Sequence, residues 1–154
     1  MDVISLSAAT TLTEWSERTF WRRFTDGTIE RVIRNGKAVI PFAAIEPHLC
    51  LPLAPEDLLL LEQADAGEAG AQTDLALIFL AHSKAKGAIA WLGLAAKQDD
   101  ANAMYLLGRC YIDAHGAEKD ENLGLMWLSK AACRGSQMAE GAMQSIRARI
   151  SAPG

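Results

Sequence analysis

The sequence is poor in the features that mark membrane-spanning, exported and metal-binding proteins. It has no uninterrupted run of 18 apolar residues, so we expect no transmembrane helix. Its first ten residues contain Asp2 but no Lys or Arg, which is unlike the basic start of a secretory signal peptide. Only three cysteines and three histidines occur, without the paired spacing of a zinc site. We therefore expect a cytoplasmic protein with no metal or other cofactor.

The cysteines and the absence of catalytic motifs further limit the kinds of protein that this sequence can be. Cys50, Cys110 and Cys133 are an odd number and predict buried, reduced thiols, with a Cys110–Cys133 disulfide as the alternative. The sequence has no P-loop, no G-x-G-x-x-G and no nucleophile elbow. Its three histidines are too far apart in sequence for any two to share a helical turn. We therefore expect a protein that is not an enzyme.

The C-terminal half contains two copies of one pattern. Trp91 and Ala95 recur 36 residues later as Trp127 and Ala131. The first copy reads Ala71-x3-Leu75-Ala76-x2-Phe79 and then Trp91-x3-Ala95-Ala96-x2-Asp99. The second copy reads Ala103-x3-Leu107-Gly108-x2-Tyr111 and then Trp127-x3-Ala131-Ala132-x2-Gly135. A repeat of this length predicts a stack of similar structural units.

Each copy has the periodicity of two α-helices. The apolar stripe of the first helix in copy two falls at steps of three and four residues; it consists of Ala103, Leu106, Leu107, Cys110, Tyr111 and Ala114. Asp120 stands where a helix N-cap is expected, and Gly135 where a left-handed residue ends the helix. The pattern therefore predicts antiparallel helix pairs.

These motifs resemble the Sel1-like repeat, a relative of the tetratricopeptide repeat. The resemblance implies a right-handed α-solenoid that binds proteins and does not catalyse reactions. Two repeats are few for a stable stack, so we expect capping helices on both sides. One is predicted to start at Pro55-Glu56-Asp57, and the other to cover Ser136 to Ile150. On this interpretation residues 51–154 form one domain of helical repeats.

The first fifty residues follow a different pattern. Asn35-Gly36 lies between two apolar, β-branched segments and predicts a hairpin in which Arg34 opposes Lys37. Ser16 is expected to cap a helix that ends near Asp26-Gly27 and whose apolar face consists of Phe20, Trp21 and Phe24. A shorter helix over residues 7–13 is predicted before it, and a short helical segment over 41–49 after the hairpin.

This order of elements is similar to an excisionase-like or MerR-like winged helix. The residues that carry the similarity are Ser16-x2-Thr19-x2-Arg22, Asp26-Gly27-x-Ile29 and the hairpin from Asn35-Gly36 to Ile40-Pro41. The predicted fold is therefore mostly α. A short α-solenoid of antiparallel helix pairs follows a small helix–helix–β-hairpin module at residues 1–50.

Charge is distributed unevenly along the chain. The formal net charge is −4, yet residues 16–37 hold six basic and three acidic side chains. Basic side chains on a helix and a hairpin wing are typical of DNA contacts, although a solvated basic face is the simpler explanation. The candidates for nucleic-acid binding are Arg18, Thr19, Arg22, Arg23, Arg31, Arg34 and Lys37.

Two functions are compatible with this organisation. The first is an adaptor that binds a protein partner through the helical repeats. The alternative is a DNA-binding regulator that uses the N-terminal module, with the repeats serving for dimerisation or partner sensing. For the adaptor, the expected docking surface is the concave face of the stack, formed by the first helix of each repeat. Its candidate residues are Asp74, Tyr105 and Arg109.

Overall fold

The computed structural model describes residues 1–151 of the chain. Within the chain, two compact units are present, Met1–Gly67 and Glu68–Gly154. The first unit combines a small sheet with short helices, and the second is entirely helical in its described part. No helix of residues 1–151 is both long enough and apolar enough to cross a lipid bilayer.

The first unit is built around a three-stranded antiparallel sheet. Its strands are β1 (Val3–Ser5), β2 (Val32–Arg34) and β3 (Lys37–Pro41), in the order β1-β3-β2. Its helices are α1 (Leu6–Thr13), α2 (Glu17–Thr25), α3 (Phe42–Ile45) and α4 (Pro55–Asp65), with a 3₁₀ turn at Glu46–His48. The predicted order of helix, helix and hairpin is confirmed. The strand β1 was missed because a segment of three residues is too short to show a strand periodicity.

The hairpin has the register that its turn predicts. Arg34 lies opposite Lys37, and Val32 lies opposite Val39. Asn35 and Gly36 have φ angles of 51° and 75°, as a two-residue type I′ turn requires. On its other side β3 pairs with β1, with Ile4 opposite Ile40.

Helix α2 begins and ends where its sequence indicates. The Ser16 hydroxyl accepts a hydrogen bond from the Thr19 amide at 3.2 Å, which satisfies one free amide of the first turn. Asp26 ends the helix, and Gly27 follows with a φ of 78°. The helix contributes Phe20 to a core shared with the sheet and the other helices. Other fully buried members of that core are Ile4, Leu12, Ile40, Ile45 and Leu61.

Helix α4 belongs to the first unit, whereas the sequence had placed it with the repeats as a cap. It starts at Pro55, as predicted, and the Asp57 carboxylate accepts a hydrogen bond from the Ala54 amide at 2.8 Å. At its far end the Asp65 carboxylate accepts hydrogen bonds from the Ser5 amide at 2.9 Å and from the Ser5 hydroxyl at 2.5 Å. This pair of bonds ties α4 to β1, so the boundary between the compact units lies at Gly67 and not near residue 50.

The second unit is the predicted stack of helix pairs. Its helices are α5 (Ala69–Ala81), α6 (Ala85–Ala96), α7 (Ala101–Ile112), α8 (Glu121–Cys133) and α9 (Gln137–Ser151), and each contacts the next. Asp120 caps α8 by accepting a hydrogen bond from the Leu123 amide at 2.9 Å, and Gly135 has a φ of 92°. Both were predicted. Helix α7 is shorter than its apolar stripe, because Ala114 lies beyond the helix end with a φ of 53°.

Small residues set the spacing between α7 and α8. A Cβ atom added to Gly124 would lie 2.8 Å from the Gly108 carbonyl oxygen and 2.5 Å from a side-chain carbon of Ile112. A Cβ atom added to Gly108 would lie 2.9 Å from the Gly124 carbonyl oxygen. The two helix backbones therefore approach each other at a distance that only glycine permits.

Helix α9 occupies the position of the first helix of a third repeat. Ala139 follows Ala103 by the 36-residue step and is fully buried. In α7 the side that faces the second helix of its own pair carries Met104 and Gly108. The same positions in α9 carry Glu140 and Gln144, which are exposed. This side of α9 is therefore polar, as expected of a capping helix.

Candidate interaction surfaces

Five of the seven predicted nucleic-acid residues are exposed on the first unit. Helix α2 presents two of them, and the hairpin with its preceding residue presents the others; they are Arg18, Arg22, Arg31, Arg34 and Lys37. Arg34 and Lys37 are directly opposed across the turn. Two like charges at this separation repel each other, and an anion bound between them would relieve the repulsion. The two elements therefore present exposed positive charge.

The other two predicted residues have structural roles. The Arg23 guanidinium lies 4.2 Å from the centre of the Trp15 ring, and the Arg23 Nε is buried. Trp15 in turn lies 5.4 Å from Phe20, centre to centre. The Thr19 hydroxyl is 3.0 Å from the Ser16 hydroxyl at the start of α2. Arg23 thus packs on an aromatic cluster, and Thr19 contributes to the helix cap.

The sequence did not identify Trp21 and Ile33 as surface residues. Trp21 was expected on the apolar face of α2, yet 43% of its surface is exposed. Its ring packs edge-on against Phe24 at 5.3 Å, and the Arg31 guanidinium lies 5.7 Å from its centre. Ile33 on β2 is 57% exposed. The exposed cations of the first unit are therefore accompanied by exposed apolar side chains, which a count of charges cannot reveal.

The acidic charge also belongs to the first unit. Residues 68–154 hold nine acidic and nine basic side chains, so the repeats are neutral overall. Residues 38–67 hold no Lys or Arg and carry five acids, Glu46, Glu56, Asp57, Glu62 and Asp65. Near the basic residues, the Thr28 hydroxyl and amide both donate to Asp26 and lower the pKa of its carboxyl group. The first unit therefore has a basic and an acidic segment.

The predicted docking residues of the repeats differ in exposure. Asp74 on α5 is exposed, and so is Arg109 on α7, whose guanidinium pairs with Asp113 at 3.2 Å. Tyr105 is half-buried. Leu77, one turn after Asp74, is 45% exposed and was not predicted. It holds the position in repeat one that Arg109 holds in repeat two, so aligning the two repeats would have drawn attention to it.

The repeated tryptophans and the three cysteines differ in burial. Trp91 is buried, whereas Trp127 is only half-buried and has the Lys130 ammonium 5.1 Å from its ring centre. None of the three cysteines forms a disulfide, so the alternative Cys110–Cys133 bond is not formed. Cys110 is buried, which raises the pKa of its thiol. The prediction of buried thiols was wrong for Cys133, which is exposed, and Cys50 is half-buried. Residues 1–151 contain no cluster of three or more His, Cys, Asp or Glu side chains suited to a metal ion.

Together these features define a short stack of helical repeats that follows a small helix–helix–hairpin unit in the chain. Residues 70–100 and 101–136 each match the family model of the Sel1 repeat, which confirms the two predicted repeats and their register. Such repeats typically bind other proteins, which supports an interaction role for the second unit. No curated protein matches the chain.

One solved structure similar to this chain is a Sel1 repeat protein from Oxalobacter formigenes. The two are 28% identical, with a TM-score of 0.55. The similarity covers 58% of the present chain but only 27% of that protein, so this chain matches about a quarter of its length. The comparison supports the repeat fold of the second unit. It gives no support for the resemblance of the first unit to a winged helix.

Proposed function

We propose that the protein is a non-catalytic adaptor that binds a protein partner through its two Sel1 repeats. The observation that carries this proposal is a set of exposed side chains on the first helices of the two repeats. Asp74 and Leu77 are exposed on α5, and Arg109 is exposed on α7. Exposed apolar side chains accompanied by charged ones are typical of the centre and rim of a protein interface.

This proposal predicts that Leu77→Asp weakens partner capture at least about tenfold, because burying a new carboxylate in an interface costs more than about 1.4 kcal/mol. The measurement is affinity capture by the tagged full-length chain, with each captured protein quantified by mass spectrometry. Met126→Asp is the matched control, because Met126 is 39% exposed on α8 and Leu77 is 45% exposed on α5. A set of partners retained equally by both variants would contradict the assigned surface.

A second candidate ligand is double-stranded DNA, bound by the first unit. The observation in its favour is the group of five exposed cations on α2 and the hairpin, with Arg22 and Arg34 among them. In this arrangement α2 would approach the major groove and the hairpin would contact the phosphate backbone. The repeats would then serve for dimerisation or for sensing a partner.

The DNA candidate predicts binding that depends steeply on salt. If all five exposed cations contact phosphates, the affinity falls roughly 500-fold between about 50 and 200 mM salt. Fluorescence anisotropy with a labelled duplex of mixed sequence measures this fall. Arg22→Glu should abolish binding at the lower salt concentration, while Arg147→Glu, which changes an exposed arginine of α9, should leave it intact. Absence of binding by the unmodified chain at the lower salt concentration would exclude this candidate.

A further inference from the structure

Strand β2 lies at an edge of the sheet described for the first unit. The strand order β1-β3-β2 places β3 on one side of β2 and no strand of the described residues on the other. In an antiparallel hairpin with a two-residue turn, the residues flanking the turn exchange backbone hydrogen bonds, and alternate residues direct theirs outward. Arg34 and Lys37 flank this turn, so the Ile33 N–H and C=O groups point away from β3.

The side chains around this edge are both apolar and cationic. Ile33 is 57% exposed and Trp21 is 43% exposed. Arg31 directly precedes β2, and its guanidinium lies 5.7 Å from the Trp21 ring centre. Arg34 and Lys37 are exposed at the turn. The open edge is thus bordered by two apolar side chains and three cations.

We propose that β2 accepts an additional β-strand from a partner protein, and that this strand alternates apolar and acidic residues. The outward N–H and C=O groups of Ile33 would bond to the backbone of the incoming strand, and Ile33 with Trp21 would cover its apolar side chains. Its carboxylates would lie against Arg34 and Lys37, which share the face of the hairpin opposite to that of Ile33. A second copy of this chain does not suit the edge, because pairing β2 with β2 would bring two sets of these cations together.

The backbone groups and side chains of this edge favour a protein strand over nucleic acid. Phosphate groups satisfy cations but do not use an outward backbone donor and acceptor in strand geometry, nor do they require an exposed isoleucine. Ile33 is therefore the residue that separates the two classes of partner. The proposal concerns the first unit and does not depend on a partner binding to the repeats.

The first test measures anisotropy of a labelled peptide of about ten residues that alternates Glu and Val, added to the full-length protein. We expect binding that weakens at least about tenfold when Lys replaces Glu in the peptide, and equally when a central residue of the peptide is replaced by Pro. Ile33→Pro should weaken binding by a similar factor, because proline removes the outward N–H but no bond to β3. Ile33→Val is the matched control and should bind normally.

The second test needs no variant of the protein. Hydrogen exchange of the Ile33 amide in the unmodified chain should slow when the Glu-Val peptide is added and should not change with the Lys-Val peptide. Peptide binding that tolerates the central proline and leaves the Ile33 amide unprotected would overturn the proposal. A mixed-sequence duplex that binds while the Glu-Val peptide does not would overturn it as well, and would assign this surface to DNA.

Discussion

Trp91→Ala is expected to lower the free energy of unfolding of the repeat unit by about 3–5 kcal/mol. Trp91 is 2% exposed, and the helix that carries it lies between α5 and α7. Truncation removes a large apolar side chain and leaves a cavity that the close-packed alanines around it, such as Ala88 and Ala95, are too small to fill. Urea unfolding followed by far-UV circular dichroism measures the loss.

The second repeat supplies the control for this prediction. Trp127 holds the same repeat position but is only half-buried, because a single helix, α9, follows its helix pair, whereas a complete pair follows that of Trp91. Trp127→Ala should therefore cost about half as much or less, since the burial lost is smaller. Equal losses for the two variants would show that Trp91 is not buried more deeply than Trp127.

Gly124→Ala is expected to destabilise the protein by about 2–3 kcal/mol, although alanine favours a helix by about 1 kcal/mol over glycine. The new methyl group would lie 2.8 Å from the Gly108 carbonyl oxygen and 2.5 Å from a side-chain carbon of Ile112. A rotamer change could move the Ile112 atom, but the carbonyl oxygen belongs to the backbone of α7. The two helices would have to separate, and contacts along their whole interface would weaken.

Gly141→Ala is the matched control, because Gly141 is also helical and nothing lies within 4 Å of its added Cβ atom. This substitution should stabilise the protein by up to about 1 kcal/mol, so the two glycines are expected to have effects of opposite sign. Thermal unfolding of the two variants beside the unmodified chain measures both. A stabilising Gly124→Ala would mean that α7 and α8 pack less closely than the 2.8 Å approach to the Gly108 carbonyl oxygen requires.

The parts of the fold that the sequence predicted are specified by local signals. The Asn35-Gly36 turn determines the register of its hairpin, and Ser16 and Asp120 cap the helices that follow them. The helix pairs could be recognised in a second way, because the same residue pattern occurs in both copies of the repeat. The structure confirms these predictions because a few neighbouring residues contain all the necessary information.

The parts that the sequence did not predict depend on contacts between distant residues. Helix α4 has a clear start at Pro55, but its assignment to the first unit depends on hydrogen bonds between Ser5 and Asp65, sixty residues apart. Trp21 has the helical spacing of a core residue, yet Phe20 is the residue that reaches the core. Among the predicted site residues, the aromatic stacking of Arg23 could be recognised only once Trp15 was placed beside it.

The polar side of α9 has a consequence for how this architecture changes length. In a stack where each helix pair contacts only its neighbours, whether a further repeat can pack depends on the exposed side of the last helix. Here Glu140, Gln144 and Arg147 hold the positions that Met104, Gly108 and Tyr111 hold one repeat earlier. Exchanging those side chains for the residues found one repeat earlier would give α9 a surface able to receive another helix. The polar side of α9 is therefore the feature of this stack that disfavours the docking of another helix against it.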